Sequence, residues 1–175
     1  RLTSSDTSSA GNAVEVVGMR GRANDARDAI NIVTLSIKRS TESGDIDLTE
    51  LAVAYASGSG RNLTHASKWE SGSSEADGFY YIHPVQAETT SDPILSTDTD
   101  QYELLIPLGP AEFNAEQELS NNDPVAETVN MENDFLRPLP AGEVGSVSLT
   151  PVAGEETLVN FVVPDRLTAS DVYVL

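Results

Sequence analysis

The sequence predicts an all-β fold: an Ig-like antiparallel β-sandwich or barrel with one long irregular insertion. Short runs rich in Val, Ile, Leu and Tyr recur along the 175 residues, bounded by Gly, Pro, Asn, Asp and Ser. The clearest pair of runs, near the C-terminus, reads as a β-hairpin. Many short strands at near-regular spacing, with turn signals between them, argue for two packed sheets.

Residues 1–12 (RLTSSDTSSAGN) are Ser/Thr-rich and aperiodic, and read as a linker; the β domain occupies 13–175. Ala13–Met19 and Ala29–Ile37 are the first two strands. In the second, alternation breaks at Ile32–Val33, which fits either a β-bulge or a strand buried on both faces. Arg39 to Gly44 is a polar turn. Ile46, Leu48 and Leu51–Tyr55 give a strand pair or a bent strand. Ser57–Asn62 reads as an exposed loop, Leu63–Trp69 is ambiguous, and residues 70–78 are loop. Phe79–Val85 (FYYIHPV) is an aromatic, β-branched strand ending at Pro84, and Gln101–Leu108 (QYELLIPL) is the next, after an acidic connector. Residues from about 109 to 142 hold four Pro and little periodicity; this is the insertion, with a short helix expected over Glu112–Leu119. Val144–Val152 and Thr157–Val163 form the C-terminal hairpin, Pro164 stops it, and Asp171–Leu175 is an apolar tail.

Hydrophobic residues make up 39% of the chain and aromatics 6%, so the core is modest and relies on aliphatic side chains. Charge is more informative. Asp and Glu number 28 against 10 Lys and Arg, a formal net charge of -18. A nucleic-acid binder needs a basic stripe to neutralise phosphates, and this composition has none to offer; docking on anionic lipid is disfavoured for the same reason. Only Lys38 and Lys68 are lysines among the basic residues. Abundant short carboxylates with few ammonium stems suit a surface that stays hydrated in concentrated salt, where screening also removes self-repulsion. An ordinary acidic domain is the alternative. No Cys is present, so there is no disulfide framework or thiolate metal site, and no run approaches the length of a membrane span.

Candidate sites are few. His65 and His83 are the histidines, and neither sits in a nucleophile-elbow or triad-like context. Gly58–Gly60 lacks the strand-to-helix setting and following Lys of a phosphate loop. Catalytic residues are therefore not assigned. Asn62-Leu63-Thr64 is the only N-glycosylation sequon, making Asn62 the candidate for an N-glycan, although such triplets also arise by chance. Glu88, Asp92, Asp98 and Asp100 gather in the acidic connector. Hard oxygen ligands in a loop suit Ca²⁺ or Mg²⁺, but no EF-hand spacing is present, which favours a solvated acidic loop.

The order of segments resembles the outer domain of archaeal flagellins (archaellins), especially those of halophilic archaea. AVEVVGM, INIVTLSIKRSTESGDIDLTE, FYYIHPV, QYELLIPL and the ending TLVNFVVPDRLTASDVYVL carry the resemblance. It implies a self-assembling subunit of an extracellular, cell-surface swimming filament, with identical or sister subunits as partners and no catalysis. It also implies that residues 1–12 follow a missing N-terminal helix, and that the domain without that helix is monomeric by light scattering. The family's acidic turn after the aromatic strand is replaced here by QAETTSD, which puts an inherited metal site in doubt. A halophilic pilin, adhesin or surface-layer binding domain is the alternative reading.

Overall fold

The computed structural model describes residues 11–24, 26–66, 79–86, 93–108, 111–112, 128–129, 138–167 and 172–174. In chain order the strands are β1 (Val14–Ala23), β2 (Ala29–Arg39), β3 (Ile46–Asp47), β4 (Ala52–Ser57), β5 (Ser59–Ala66), β6 (Phe79–Gln86), β7 (Ile94–Leu95), β8 (Gln101–Pro107), β9 (Ala111–Glu112), β10 (Thr128–Val129), β11 (Leu139–Pro140), β12 (Val144–Thr150), β13 (Thr157–Val162) and β14 (Val172–Val174). A single turn of 3-10 helix, Leu48–Glu50, stands between β3 and β4, capped by the Asp47 carboxylate accepting from the Thr49 amide. Among the described residues there is no α-helix. Glu112, where a helix was expected to begin, ends β9, and the rest of that expected helix lies outside the described residues.

Ten strands join in one sheet: nine follow the path β13-β12-β4-β5-β6-β8-β2-β1-β14, and β11 pairs with β2 off that path. The path folds at β5. Its first half pairs antiparallel with β4 (Val53 with Leu63), while its second half pairs parallel with β6 (Thr64 with Phe79). One strand thus belongs to both layers. That parallel pair departs from the antiparallel expectation, and the number of residues between β5 and β6 is enough for the crossover a parallel pair needs. On the far side, the Glu155 amide donates to the Asn12 carbonyl and Thr157 Oγ1 to the Val14 carbonyl, drawing the start of β1 against β13. The two layers are therefore tied at both sides, which is the barrel-like sandwich that strand spacing predicts.

Packing explains the patterns. In β2, Val33, Leu35 and Ile37 enter the main core, yet Ile32 and Thr34 on the opposite face are also buried. The broken alternation of this strand thus reports burial on both faces. The register shifts lie in β1, between Val16 and Gly18 and between Arg22 and Ala23. Across the core, Val53, Tyr55, Val147, Leu149 and Phe161 of the β13–β12–β4–β5 layer belong to one cluster with Val33, Leu35, Tyr80, Leu104 and Ile106 of the other. Tyr80 also supplies a polar tie: its hydroxyl lies 2.9 Å from the Leu48 carbonyl and 3.1 Å from that of Leu51, pinning the 3-10 turn onto β6.

Two places differ from the expected elements for local reasons. Ser57–Asn62 is a tight hairpin turn rather than an open loop: Gly58 alone takes a positive φ of 84°, and pairing resumes at Ser59. β6 runs on past Pro84 because a register shift between Pro84 and Gln86 accommodates the missing N–H. The C-terminal hairpin is as expected, Val144 pairing with Val162 through to Leu149 with Thr157. Within it, Gly145 lies under Phe161; a Cβ there would stand 2.5 Å from the ring's Cζ. Gly145→Val should therefore destabilise by about 1–3 kcal/mol through overpacking, measured by urea unfolding, and Gly145→Ala should cost less.

The start of the described chain is held firmly. Asn12 Oδ1 accepts from the Gly44 amide at 2.8 Å, its Nδ2 donates to the Asp45 carbonyl, and the Ala13 amide donates to Ser43 Oγ. Together with the Asn12 carbonyl bond to Glu155, these join residues 12–13 to two separate turns at once.

Candidate interaction surface

Alternation sends every second residue of the β13–β12–β4–β5 layer outward. Register aligns these residues in cross-strand rows. Asn62, Ala54, Ser148 and Leu158 form one; Gly60, Ala56, Ser146 and Asn160 form the next; Val144 and Val162 form a third. None of these residues is charged, in a chain of net charge -18. At the β12–β13 end the face is apolar and open: Val144 is 56% exposed, Leu158 57% and Val162 57%. Val152, at the hairpin turn, is exposed as well. A carboxylate reaches the face from its rim, Glu156 accepting from Ser148 Oγ at 2.7 Å. β13 is the terminal strand of the sheet path, and its sequence TLVNFV carries no charge or Pro, the usual means of protecting an edge.

The other layer is different. Its off-core face is buried and mixed, Ile32 and Leu105 lying there with Thr34, His83 and Glu103. Glu103 on β8, 1% exposed, forms an ion pair with Arg20 on β1, reaching across β2. His83 on β6 is the register partner of Glu103, is fully buried, and stacks on Tyr81 with ring centroids 6.5 Å apart. His83 is thus an interior residue of β6. Sequence reading passed over Arg20 and Glu103. The signal was present: each falls on the alternate face from its core-facing neighbours, Met19 and Gly21 for Arg20, Tyr102 and Leu104 for Glu103. The side chain of His65, on β5, is outside the described residues.

Burial also marks Tyr55. Removal of its phenol from water raises its pKa from 10.0 to about 12, with Ser57 opposing the rise. Tyr80 shifts the same way, through burial and then the negative charge of Asp47. A raised phenol pKa means the folded state resists ionisation, so this stability is full below pH 10 and is lost as pH climbs towards 12. Alkaline unfolding followed by phenolate absorbance should show stability falling by about 2–3 kcal/mol from Tyr55 over that window, and Tyr55→Phe should flatten that limb.

The acidic connector has structural work of its own. Asp100 is buried, its Oδ2 accepting from the Ser96 amide at 2.9 Å, Ser96 Oγ at 3.0 Å and the Thr97 amide at 3.0 Å, which closes the turn into β8. Asp98 is exposed and accepts from Arg39 Nε at 3.0 Å. Glu88 and Asp92 lie outside the described residues. Among the described residues, no three His, Cys, Asp or Glu gather as a metal site. Asn62 lies on a strand, exposed on the outer face of β5 opposite Ala54.

The fold is that of the archaellins. The chain aligns with the crystal structure of archaeal flagellin FlaB1 from Methanocaldococcus jannaschii at a TM-score of 0.67, covering 94% of this chain and 96% of that one at 16% identity. Weaker likenesses are to the archaeal flagellum of Methanospirillum hungatei strain JF1 (TM-score 0.49, 11% identity, 90% of this chain and 67% of that one) and to the archaellum periplasmic stator complex of FlaF and FlaG from Sulfolobus acidocaldarius (0.48, 13%, 85% and 87%). No protein-family model and no curated protein sequence matches the chain.

Proposed function

We propose that this chain is a structural subunit of an extracellular archaeal swimming filament, the archaellum, and that it works by self-assembly without catalysis. The observation that carries this reading is the likeness to flagellin FlaB1 across nearly the whole of both chains. The surface chemistry supports it. A heavily acidic exterior keeps the domain hydrated in brine, and one uncharged face offers a route for close packing. Asn62 is exposed on β5, where an N-glycan would meet solvent without entering the core.

Filaments sheared from swimming cells that encode the protein provide the test. Mass spectrometry should find this chain among the principal filament components, with Asn62 glycosylated, and deletion of its gene should abolish or impair swimming. Normal swimming after deletion, with filaments free of the chain, would overturn the proposal.

A further inference from the structure

We propose that the uncharged outer face at the β12–β13 hairpin, centred on Val144, Leu158 and Val162, docks a neighbouring copy of this chain. The inference rests on the filament reading and deepens it by naming the surface that meets the neighbour. Charge selects the occupant. A chain of net charge -18 would meet a basic partner through its carboxylates, because opposite charges attract where they are densest. A partner that is itself strongly acidic can approach closely only where charge is missing. The rows Ala56–Ser146–Asn160 and Val144–Val162 are such a place, the Glu156 carboxylate being held at the far row by Ser148.

The shape agrees. Ser and Ala side chains leave a low, flat surface beside the apolar edge, so a neighbour's side chains can settle against Leu158 and Val162. Beyond Thr157, where the start of β1 is drawn in, edge strand β13 has none of the charges that keep other proteins' edges apart, and no described strand is in ladder pairing with it there. Three large apolar side chains fall well short of the roughly 20–30 residues per side in a stable two-protein interface. The contact is therefore weak between free copies and becomes effective when many are held side by side. Asn62 lies three strands from β13, about 14 Å at normal strand spacing. A glycan there borders the contact and leaves Leu158 and Val162 open.

No Cys occurs in these 175 residues, so a cysteine introduced here is the one label site in the domain. In the full-length protein expressed by its own cells, Leu158→Cys or Val162→Cys is labelled with a benzophenone maleimide, illuminated in molar salt, and compared with Gln86→Cys, exposed on β6 in the other layer. The expected result is covalent capture of a second copy at least about tenfold more efficient from positions 158 and 162 than from 86, reflecting the higher local concentration of the neighbour. Val144→Glu should remove that excess in the Leu158→Cys background. Both positions are exposed, so folding is checked by circular dichroism and should be unchanged. Equal capture at all three positions, or capture of a different protein at 158 and 162, overturns the inference. That failure is distinguishable from failure of the filament reading: mass spectrometry of sheared filaments decides the latter, whatever the cross-linking shows.

Discussion

Moving from about 0.05 M to about 2 M KCl should raise the thermal unfolding midpoint by on the order of 10 °C, with the steepest gain at low salt. The acids that crowd the exterior are solvated: Glu15, Glu42, Glu50, Glu143 and Asp165 are all exposed. Few cations answer them. Among the described residues, Arg39 is one local counterweight, with Asp98 at 3.0 Å and Asp45 at 3.7 Å. With a formal charge of -18 the folded state concentrates negative charge that the unfolded chain spreads out, so folding is opposed in dilute buffer. At molar salt the Debye length shrinks to roughly 3 Å, and most of that opposition disappears. Calorimetry across a KCl series checks this. An unchanged midpoint between low and molar salt would remove salt adaptation as an account of the composition.

Arg20→Met should destabilise the fold by about 3 kcal/mol, because it removes a cationic partner from the buried Glu103 carboxylate. Arg20 is one-third exposed while Glu103 is 1% exposed, so the loss falls on the acid rather than on the base. Both residues take part in further interactions, which holds the cost near the lower end for a broken buried pair. Adding Glu103→Gln to Arg20→Met should recover most of the loss, since the amide needs no counter-charge. Urea unfolding of the two single variants and the double variant measures the coupling. A double variant as unstable as the sum of the singles would show that the ion pair is not the reason for the loss.

Legibility varied along the chain with the physics of each segment. The β12–β13 hairpin was readable because Val147 and Leu149 alternate with Ser146, Ser148 and Thr150, and because Ala153–Glu156 supplies a polar turn. β6 and β8 were readable from their aromatic and β-branched content. β5 was not. Ser59, Gly60 and Arg61 have turn-like composition, and a strand with one apolar anchor, Leu63, is held by its neighbours β4 and β6 more than by its own preference. The parallel pairing was equally hidden, since register between distant segments leaves no local trace. At the candidate surface, the sequence showed the excess of acid but not its distribution. Only the register of β4, β5, β12 and β13 reveals that Ala54, Ser146, Ser148, Leu158 and Val162 share one face, to which Glu156 brings a carboxylate from the rim at Ser148. Asp100 illustrates the reverse case. Counted among clustered acids it suggests an ion site; in the fold its carboxylate closes the turn between β7 and β8.

Residues 12 and 13 are bonded at once to the turn after β2 and to the turn between β12 and β13. A tug on the chain at Gly11 therefore cannot peel one strand away like a zipper. The load divides between two turns that lie far apart in sequence, and the bonds that carry it must yield together. Such a joint behaves as a rivet: it passes drag or twist into the whole body of the domain, keeping β1 seated while the domain is pulled.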